Sequence, residues 1–228
     1  MELLQQTKSL TEHFGRFITD HKKEFIERVL DQRTRYVTLV LEDIYQSQNA
    51  SAVMRTCECL GLQDIHVIET NSTWKTNKLV LKGSDKWLNI NRYKKKYLNN
   101  AAECLSALRQ KGYRIAVTDP STDGTPIGEV DITQPLAIVM GNERHGSSRF
   151  MREEADIKVN IPMVGFTESL NISVSAAICL NLVLTRLRSS VLPWQLSDEE
   201  KTQLRLNWYK SVVRHPELIE REFLRAIR

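Results

Sequence analysis

The sequence predicts an α/β protein: a mostly parallel sheet with helices on both faces, extended by helices at both ends. Three observations carry this reading. Strand-length apolar runs alternate with helical patterns along residues 35–190. One run, 136–140, is apolar on both faces, as a strand covered by helices on each side requires. Residues 1–34 and 191–228 are rich in helix formers and read as an N-terminal and a C-terminal helical extension.

In chain order, Leu3, Leu10, Phe14, Phe17, Phe25, Ile26, Val29 and Leu30 mark a helical stretch over 2–32. The β-branched run 36–41 is the first strand. Residues 46–60 read as a helix closed by Gly61, a residue suited to the left-handed position after a helix. Strands follow at 64–69 and 87–93, then an amphipathic helix over 98–111 ending at Gly112. Further strands are expected at 113–118, 136–140 and 156–161, with Ser147 capping a short helix to Ala155. A long helix over 170–189 precedes Pro193, Ser197 opens a helical tail, and Pro216 starts its last segment.

The chain has 228 residues, enough to bury about 70% of its unfolded surface without disulfides or a structural metal. Four cysteines (Cys57, Cys59, Cys104, Cys179) form no C-x-x-C pair. They argue for a reducing compartment and against a zinc ribbon or disulfide scaffold. The N-terminus is polar and no run reaches 18 apolar residues, so a cytoplasmic protein is expected, with no membrane partner. The five histidines are scattered, and no metal site is expected.

Charge is unevenly distributed. The whole chain carries +4, whereas 71–100 carries +7 from Lys75, Lys78, Lys82, Lys86, Arg92, Lys94, Lys95 and Lys96 against Asp85 alone. Trp74, Trp87, Tyr93 and Tyr97 are interleaved with these cations. A basic stretch with aromatics is the footprint of a phosphate backbone, and these eight cations are the candidate RNA-binding residues. A solvated surface would give the same composition. In contrast, 161–185 holds no Lys or Arg and one acid, Glu168, and is either buried or lines a pocket.

Three segments carry unusual residues where strands end, the place where parallel sheets bind ligands. The first runs from Asn49 through Arg55 and Thr56 to Gly61. The second is Met140-Gly141-Asn142-Glu143-Arg144-His145-Gly146, a polar cluster between glycines that lacks the Lys-Ser/Thr of a P-loop. The third runs from Ile161 to Ala177 and places Ser169, Asn171, Ser173 and Ser175 at the start of an apolar helix. Asn and Ser are poor choices inside a helix unless their hydrogen bonds are met.

Together the three segments resemble the motifs of the SpoU (TrmH-like) ribose 2′-O-methyltransferases of the SPOUT class. They read N-A-S-A-V-M-R-T…G, M-G-N-E-R-H-G and I-P-M-x-G-x-x-x-S-L-N-I-S-V-S-A-A, in the family's order over about 36–185. Many relatives have Gly where Ser51 stands and Ala where Ser175 stands. The resemblance implies a C-terminal trefoil knot, which spacing alone would not suggest. It also implies S-adenosyl-L-methionine as cofactor, held around Thr118, Met140, Gly141, Ile161, Ser169 and Leu170. Arg55 is implied to act on the reacting hydroxyl, with Asn49, Glu143, Ser169 and Asn171 shaping the site. A homodimer with active sites at the subunit interface is implied as well.

Short helical extensions at both ends resemble those enzymes of the family that methylate the ribose of guanosine 18 in the tRNA D-loop. The expected activity is therefore S-adenosylmethionine-dependent tRNA (guanosine 2′-O-)methylation. Ribosomal RNA, another tRNA nucleotide such as the wobble ribose, or RNA binding without catalysis are the alternatives.

Overall fold

The computed structural model describes residues 2–120 and 123–226. It divides into two compact units: residues 34–194, and a helical unit drawn from 1–33 and 195–228.

The N-terminal helical extension consists of two helices, α1 (Glu2–Gly15) and α2 (Asp20–Leu30). Gly15 ends the first, and Thr19 caps the second by accepting the Lys22 N–H at 3.4 Å. The larger unit then runs β1 (Val37–Glu42), α3 (Ser47–Cys59), β2 (Asp64–Ile68), α4 (Lys78–Leu81), β3 (Asn89–Tyr93), α5 (Asn100–Gln110) and β4 (Arg114–Thr118). It continues with β5 (Thr125–Pro126), β6 (Leu136–Met140), α6 (Arg149–Glu154), β7 (Ile157–Asn160) and α7 (Ile172–Arg188).

Among the described residues the strands form one parallel sheet in the order β3-β2-β1-β6-β4-β7-β5. Side chains alternate across it with the two-residue period of a strand. Leu39, Leu41, Ile138 and Met140 pack with Ala50, Val53 and Met54 of α3 and Ala176, Cys179 and Leu180 of α7. Val40, Ala137 and Val139 face the other way, onto Cys104, Leu105 and Leu108 of α5 and Met151 of α6. All five residues of β6 are buried, as two-sided apolar composition implies. The expected α/β class, with helices on both faces, is therefore what forms.

Several boundaries differ from the sequence reading for local reasons. Residues 84–87 form a 3-10 turn, so β3 starts at Asn89. Ser148, not Ser147, caps α6 by accepting the Met151 N–H at 3.1 Å. Helix α7 starts at Ile172 because Asn171, not Ser169, caps it. The four-residue α4 and two-residue β5 are too short to leave a periodic signal.

The helical unit is completed by α8 (Asp198–Val212) and α9 (Pro216–Ala226). Ser197 and Glu200 form a capping box: the Ser197 hydroxyl accepts the Glu200 N–H, and the Glu200 carboxylate accepts the Ser197 N–H at 2.8 Å. Helix α1 packs on α8 and α9, and α2 packs on α8. Phe14, Leu30, Trp208 and Tyr209 are buried in this unit.

Candidate active site

The carboxyl ends of β4, β6 and β7 open onto a cavity of ≈ 690 Å³. All the residues expected around a cofactor line it: Thr118, Met140, Gly141, Ile161, Ser169 and Leu170. Four of the five expected catalytic residues do too: Asn49, Glu143, Ser169 and Asn171. Three separate sequence segments thus converge on one concave surface, the usual form of a small-molecule site.

Glycine is required at position 141. A Cβ there would stand 2.1 Å from Ser147 N and 2.3 Å from the Gly146 carbonyl carbon. The loop after β6 folds back on itself just there. Asn142 and Gly146 exchange backbone hydrogen bonds at 3.0 and 2.8 Å, with Gly146 at φ +67°. The Asn142 side chain pins this loop from two sides. Its Oδ1 accepts the Arg144 and His145 N–H groups, and its Nδ2 donates to the Asp43 carbonyl at 2.6 Å.

Glu143 acts where α3 begins. Gln46 caps that helix without a side-chain hydrogen bond. Instead, the Glu143 carboxylate accepts the Tyr45 N–H at 2.9 Å and the Gln46 N–H at 3.1 Å. It also accepts Asn49 Nδ2 at 3.1 Å. Burial alone would raise its pKa. The hydrogen bonds from Tyr45, Asn49 and Gln46 outweigh burial and hold the carboxyl below its ordinary range. Glu143 is therefore an ionised anchor, not a proton donor.

Asn49 is buried and passes the arrangement on. Its Oδ1 accepts from Asn171 Nδ2 at 3.1 Å, and Asn171 Oδ1 accepts the Ser173 N–H at 2.8 Å at the start of α7. The two alternatives expected for 161–185, burial or a place in a pocket wall, each hold for part of it. Residues 162–171 are exposed and supply cavity wall, whereas α7 buries one face.

Arg55 is the exception. It is exposed and does not line the cavity. Six residues along a helix from Asn49, it lies roughly 9 Å further on and about 240° around the axis.

The basic segment is only partly free. Arg92 is held by Glu69 through two hydrogen bonds of 2.7 and 2.9 Å, and Lys95 pairs with Glu103. Lys75, Lys78, Lys82, Lys86, Lys94 and Lys96 are exposed, and none makes an ion pair among the described residues. Trp74 is buried in the core, Trp87 and Tyr93 are half-buried, and Tyr97 alone of the four aromatics is fully exposed.

Three features of the site escaped the sequence reading. Asp43, at φ +51°, accepts the N–H groups of Thr70, Asn71 and Ser72 on its carboxylate. Ser51, buried on α3, accepts the Asn77 N–H at 2.7 Å and donates to the Ser47 carbonyl. Gln46 lines the cavity and accepts from Asn49. The departure from Gly at position 51 was visible; its meaning needed the fold.

No group of three or more His, Cys, Asp or Glu is placed to hold a metal ion among the described residues. No described helix is long and apolar enough to cross a membrane.

Comparison with known proteins matches residues 36–181 to the SpoU rRNA Methylase family. The chain is 45% identical over 206 residues to a tRNA (guanosine(18)-2′-O)-methyltransferase of Borreliella burgdorferi, covering 90% of this chain and 92% of that one. Among solved structures, the TrmH/SpoU tRNA modifying enzyme of A. aeolicus superposes with a TM-score of 0.72 at 29% identity, covering 84% of this chain and 98% of that one. The SpoU methyltransferase AviRb of Streptomyces viridochromogenes, in complex with the cofactor AdoMet, shares the fold (TM-score 0.56, 23% identity, 72% of this chain and 62% of that one). The matched span runs from the strand before Asn49 to the middle of α7 and includes every residue that builds the cavity, so this chain belongs to the SpoU rRNA Methylase family.

Proposed function

We propose that this protein transfers a methyl group from S-adenosyl-L-methionine to the ribose 2′-OH of guanosine 18 in the tRNA D-loop. The observation that carries this reading is the convergence of three distant segments, through Glu143, Asn49 and Asn171, on the cavity at the strand ends. The Borreliella relative, matched over nearly its whole length, supports the choice of tRNA and of guanosine 18.

The cavity fits the cofactor. Thr118, Met140, Gly141, Ile161, Ser169 and Leu170 would hold it, and the glycine-only approach at 141 leaves backbone lining the wall. When bound, S-adenosylmethionine supplies an electrophilic methyl group on its sulfonium. The residues then need to orient a ribose hydroxyl and stabilise the oxygen as it loses its proton. Glu143 is a poor base, since its carboxylate is already occupied by three donors. A guanidinium is not a base in proteins, so the part read for Arg55 is to orient the hydroxyl and stabilise developing alkoxide charge. The proton passes to a substrate phosphate or to water.

A homodimer completes the reading. Arg55 lies outside its own chain's cavity, and Met163, Val164, Phe166, Val174 and Leu182 are exposed apolar side chains on the cavity loop and on α7. A second copy covering them brings its Arg55 to the site. A permanent symmetric interface of this kind buries well over ~2,000 Å². The back-folded loop 141–148 and the cavity loop 161–171 support a trefoil knot here. A tRNA substrate and four free thiols support a cytoplasmic setting.

Nucleoside mass spectrometry of unmodified tRNA incubated with protein and labelled S-adenosylmethionine tests the activity. The expected product is 2′-O-methylguanosine at position 18, with no metal beyond that which folds the tRNA. Label on a base nitrogen, or on ribosomal RNA alone, overturns it. Light scattering at micromolar concentration should return the mass of two chains.

A further inference from the structure

We propose that the groove beside the cofactor cavity is a nucleotide subsite, in which Tyr45 stacks on the base of the target nucleotide and Lys75 meets an adjoining phosphate. This rests on the reading of the protein as a tRNA methyltransferase.

The groove is a second hollow of ≈ 570 Å³, and Gln46 lines both it and the cofactor cavity. The two hollows therefore adjoin at Gln46. A ribose at the cavity mouth has its base within reach of the groove. The groove walls are amides, hydroxyls, Tyr45 and Lys75, and they include no carboxylate. A polyanion meets one cation there, and the nearest carboxylates, Asp43 and Glu143, are turned onto backbone N–H groups of the walls.

Tyr45 is built as a platform. The residue is 61% exposed, so its ring is open to a ligand. Its ring lies under the Arg144 guanidinium at 4.9 Å, and its N–H is fixed by Glu143 at 2.9 Å. Backbone and ring are thus both held before a ligand arrives, and base stacking on a fixed ring is sequence-tolerant and strong.

The opposite wall is equally rigid. The Asp43 carboxylate accepts the N–H groups of Thr70, Asn71 and Ser72 at 2.7, 2.9 and 3.1 Å. At the far end, the Ser51 hydroxyl accepts the Asn77 N–H at 2.7 Å. Lys75 sits between these two anchors, exposed and without an ion pair among the described residues. Asp43 also accepts Asn142 Nδ2 on its carbonyl, which ties this wall to the cofactor loop.

The test compares Tyr45→Ala, Tyr45→Phe and Lys75→Gln in tRNA methylation at saturating cofactor, with tRNA binding, cofactor binding and melting temperature in parallel. Tyr45→Ala should lower kcat/KM for tRNA about 10- to 100-fold, the range expected for one stacked base. Cofactor affinity and melting temperature should stay at wild-type values. Tyr45→Phe, which keeps the ring, should restore most of the loss. Lys75→Gln should reduce the slope of log affinity against log salt by about 0.7–0.9, one phosphate's share. Wild-type kcat/KM in Tyr45→Ala overturns the subsite. So does equal damage from Tyr45→Phe, or a loss that follows cofactor affinity and melting temperature. Wild-type protein that leaves tRNA unmethylated would overturn the activity instead, and the tRNA-binding comparison of Tyr45→Ala would still decide the subsite.

Discussion

Asn171 donates from Nδ2 to Asn49 Oδ1 at 3.1 Å, joining the start of α7 to the first turn of α3. The direction of this bond is fixed from one end. Ionised Glu143 only accepts, so Asn49 must turn its Nδ2 toward it and its Oδ1 toward Asn171. Asn171 must then present its amino group to Asn49 and its oxygen to the Ser173 N–H. A single negative charge thereby orients two side chains and two helix starts.

Asn49→Asp tests that polarity. The new carboxylate keeps the bond from Asn171 but sets its other oxygen against Glu143, where an amide stood at 3.1 Å. Losing a buried charged hydrogen bond and adding like-charge repulsion should cost about 1–3 kcal/mol near pH 7. The repulsion raises the pKa of one of the pair, so the deficit should shrink as pH falls and that group takes a proton. Melting curves of both proteins at pH 7 and pH 5 check this. A deficit that stays constant with pH would sink the argument.

Gly141→Ala should fail for a steric reason. The added methyl would occupy the backbone of Ser147, and both strands of a back-folded loop would have to separate. Overpacking against backbone costs about 1–3 kcal/mol, or several degrees of melting temperature in a protein of this size. Cofactor affinity should fall with it, because the displaced loop is cavity wall. Calorimetric titration with S-adenosylmethionine gives the reading, and unaltered binding would contradict it.

The fold and much of the site were legible because their signals are local. The buried composition of 136–140 identified a two-sided strand, and the glycines at 61 and 112 marked helix ends with positive φ. The motif order located Asn49, Glu143 and Asn171, though not that they bond to one another. That link depends on β1 and β6 lying side by side, which brings their following loops together. The basic segment was only partly legible for a related reason. Composition counts Arg92 and Lys95 as free cations and Trp74 as an exposed ring, whereas Glu69, Glu103 and the core claim them. Asp43 left no signal, since a loop aspartate becomes an anchor only when its backbone turns to φ +51°.

Arg55→Ala should separate catalysis from cofactor binding. The residue lies outside its own chain's cavity, so affinity for S-adenosylmethionine should stay near wild type. Removal of one positioned electrostatic contact should lower turnover roughly 10²–10³-fold. Arg55→Lys keeps the charge and loses the planar fork, and should recover only part of the rate. Single-turnover assays with saturating cofactor measure this, and a wild-type rate in Arg55→Ala would remove the residue from the mechanism.

His66 makes stability depend on acid. It is buried on β2 with Nδ1 2.9 Å from the Tyr93 hydroxyl, and burial lowers its pKa to about 4 from 6.5. Asp64 opposes that shift and Lys111 adds to it. Below pH 6.5 the unfolded chain binds a proton here that the folded chain refuses, so stability falls as pH drops toward 4. The share lost between pH 7 and pH 5 is about 2 kcal/mol, at 1.36 kcal/mol per pKa unit. Urea unfolding at the two pH values should show a smaller drop for His66→Gln than for wild type. Equal drops would place the acid sensitivity elsewhere.

Salt dependence separates the free lysines from the paired ones. Lys94 and Lys96 are exposed and make no ion pair among the described residues, whereas Lys95 is bound to Glu103. Each neutralised phosphate contributes about 0.7–0.9 to the slope of log affinity against log salt. Replacing Lys94 and Lys96 together by Ala should therefore flatten the slope for tRNA by about 1.4–1.8. Lys95→Ala alone should leave it near wild type, because that ammonium already has its counter-charge. The loss should be alike for substrate and non-substrate tRNA, since phosphate contacts position an RNA without reading its sequence. Cofactor binding should be untouched, as none of the three lysines lines the cavity. An unchanged slope in the double variant would return the 94–96 turn to an ordinary solvated surface, and a full effect from Lys95→Ala would mean that RNA competes successfully with Glu103.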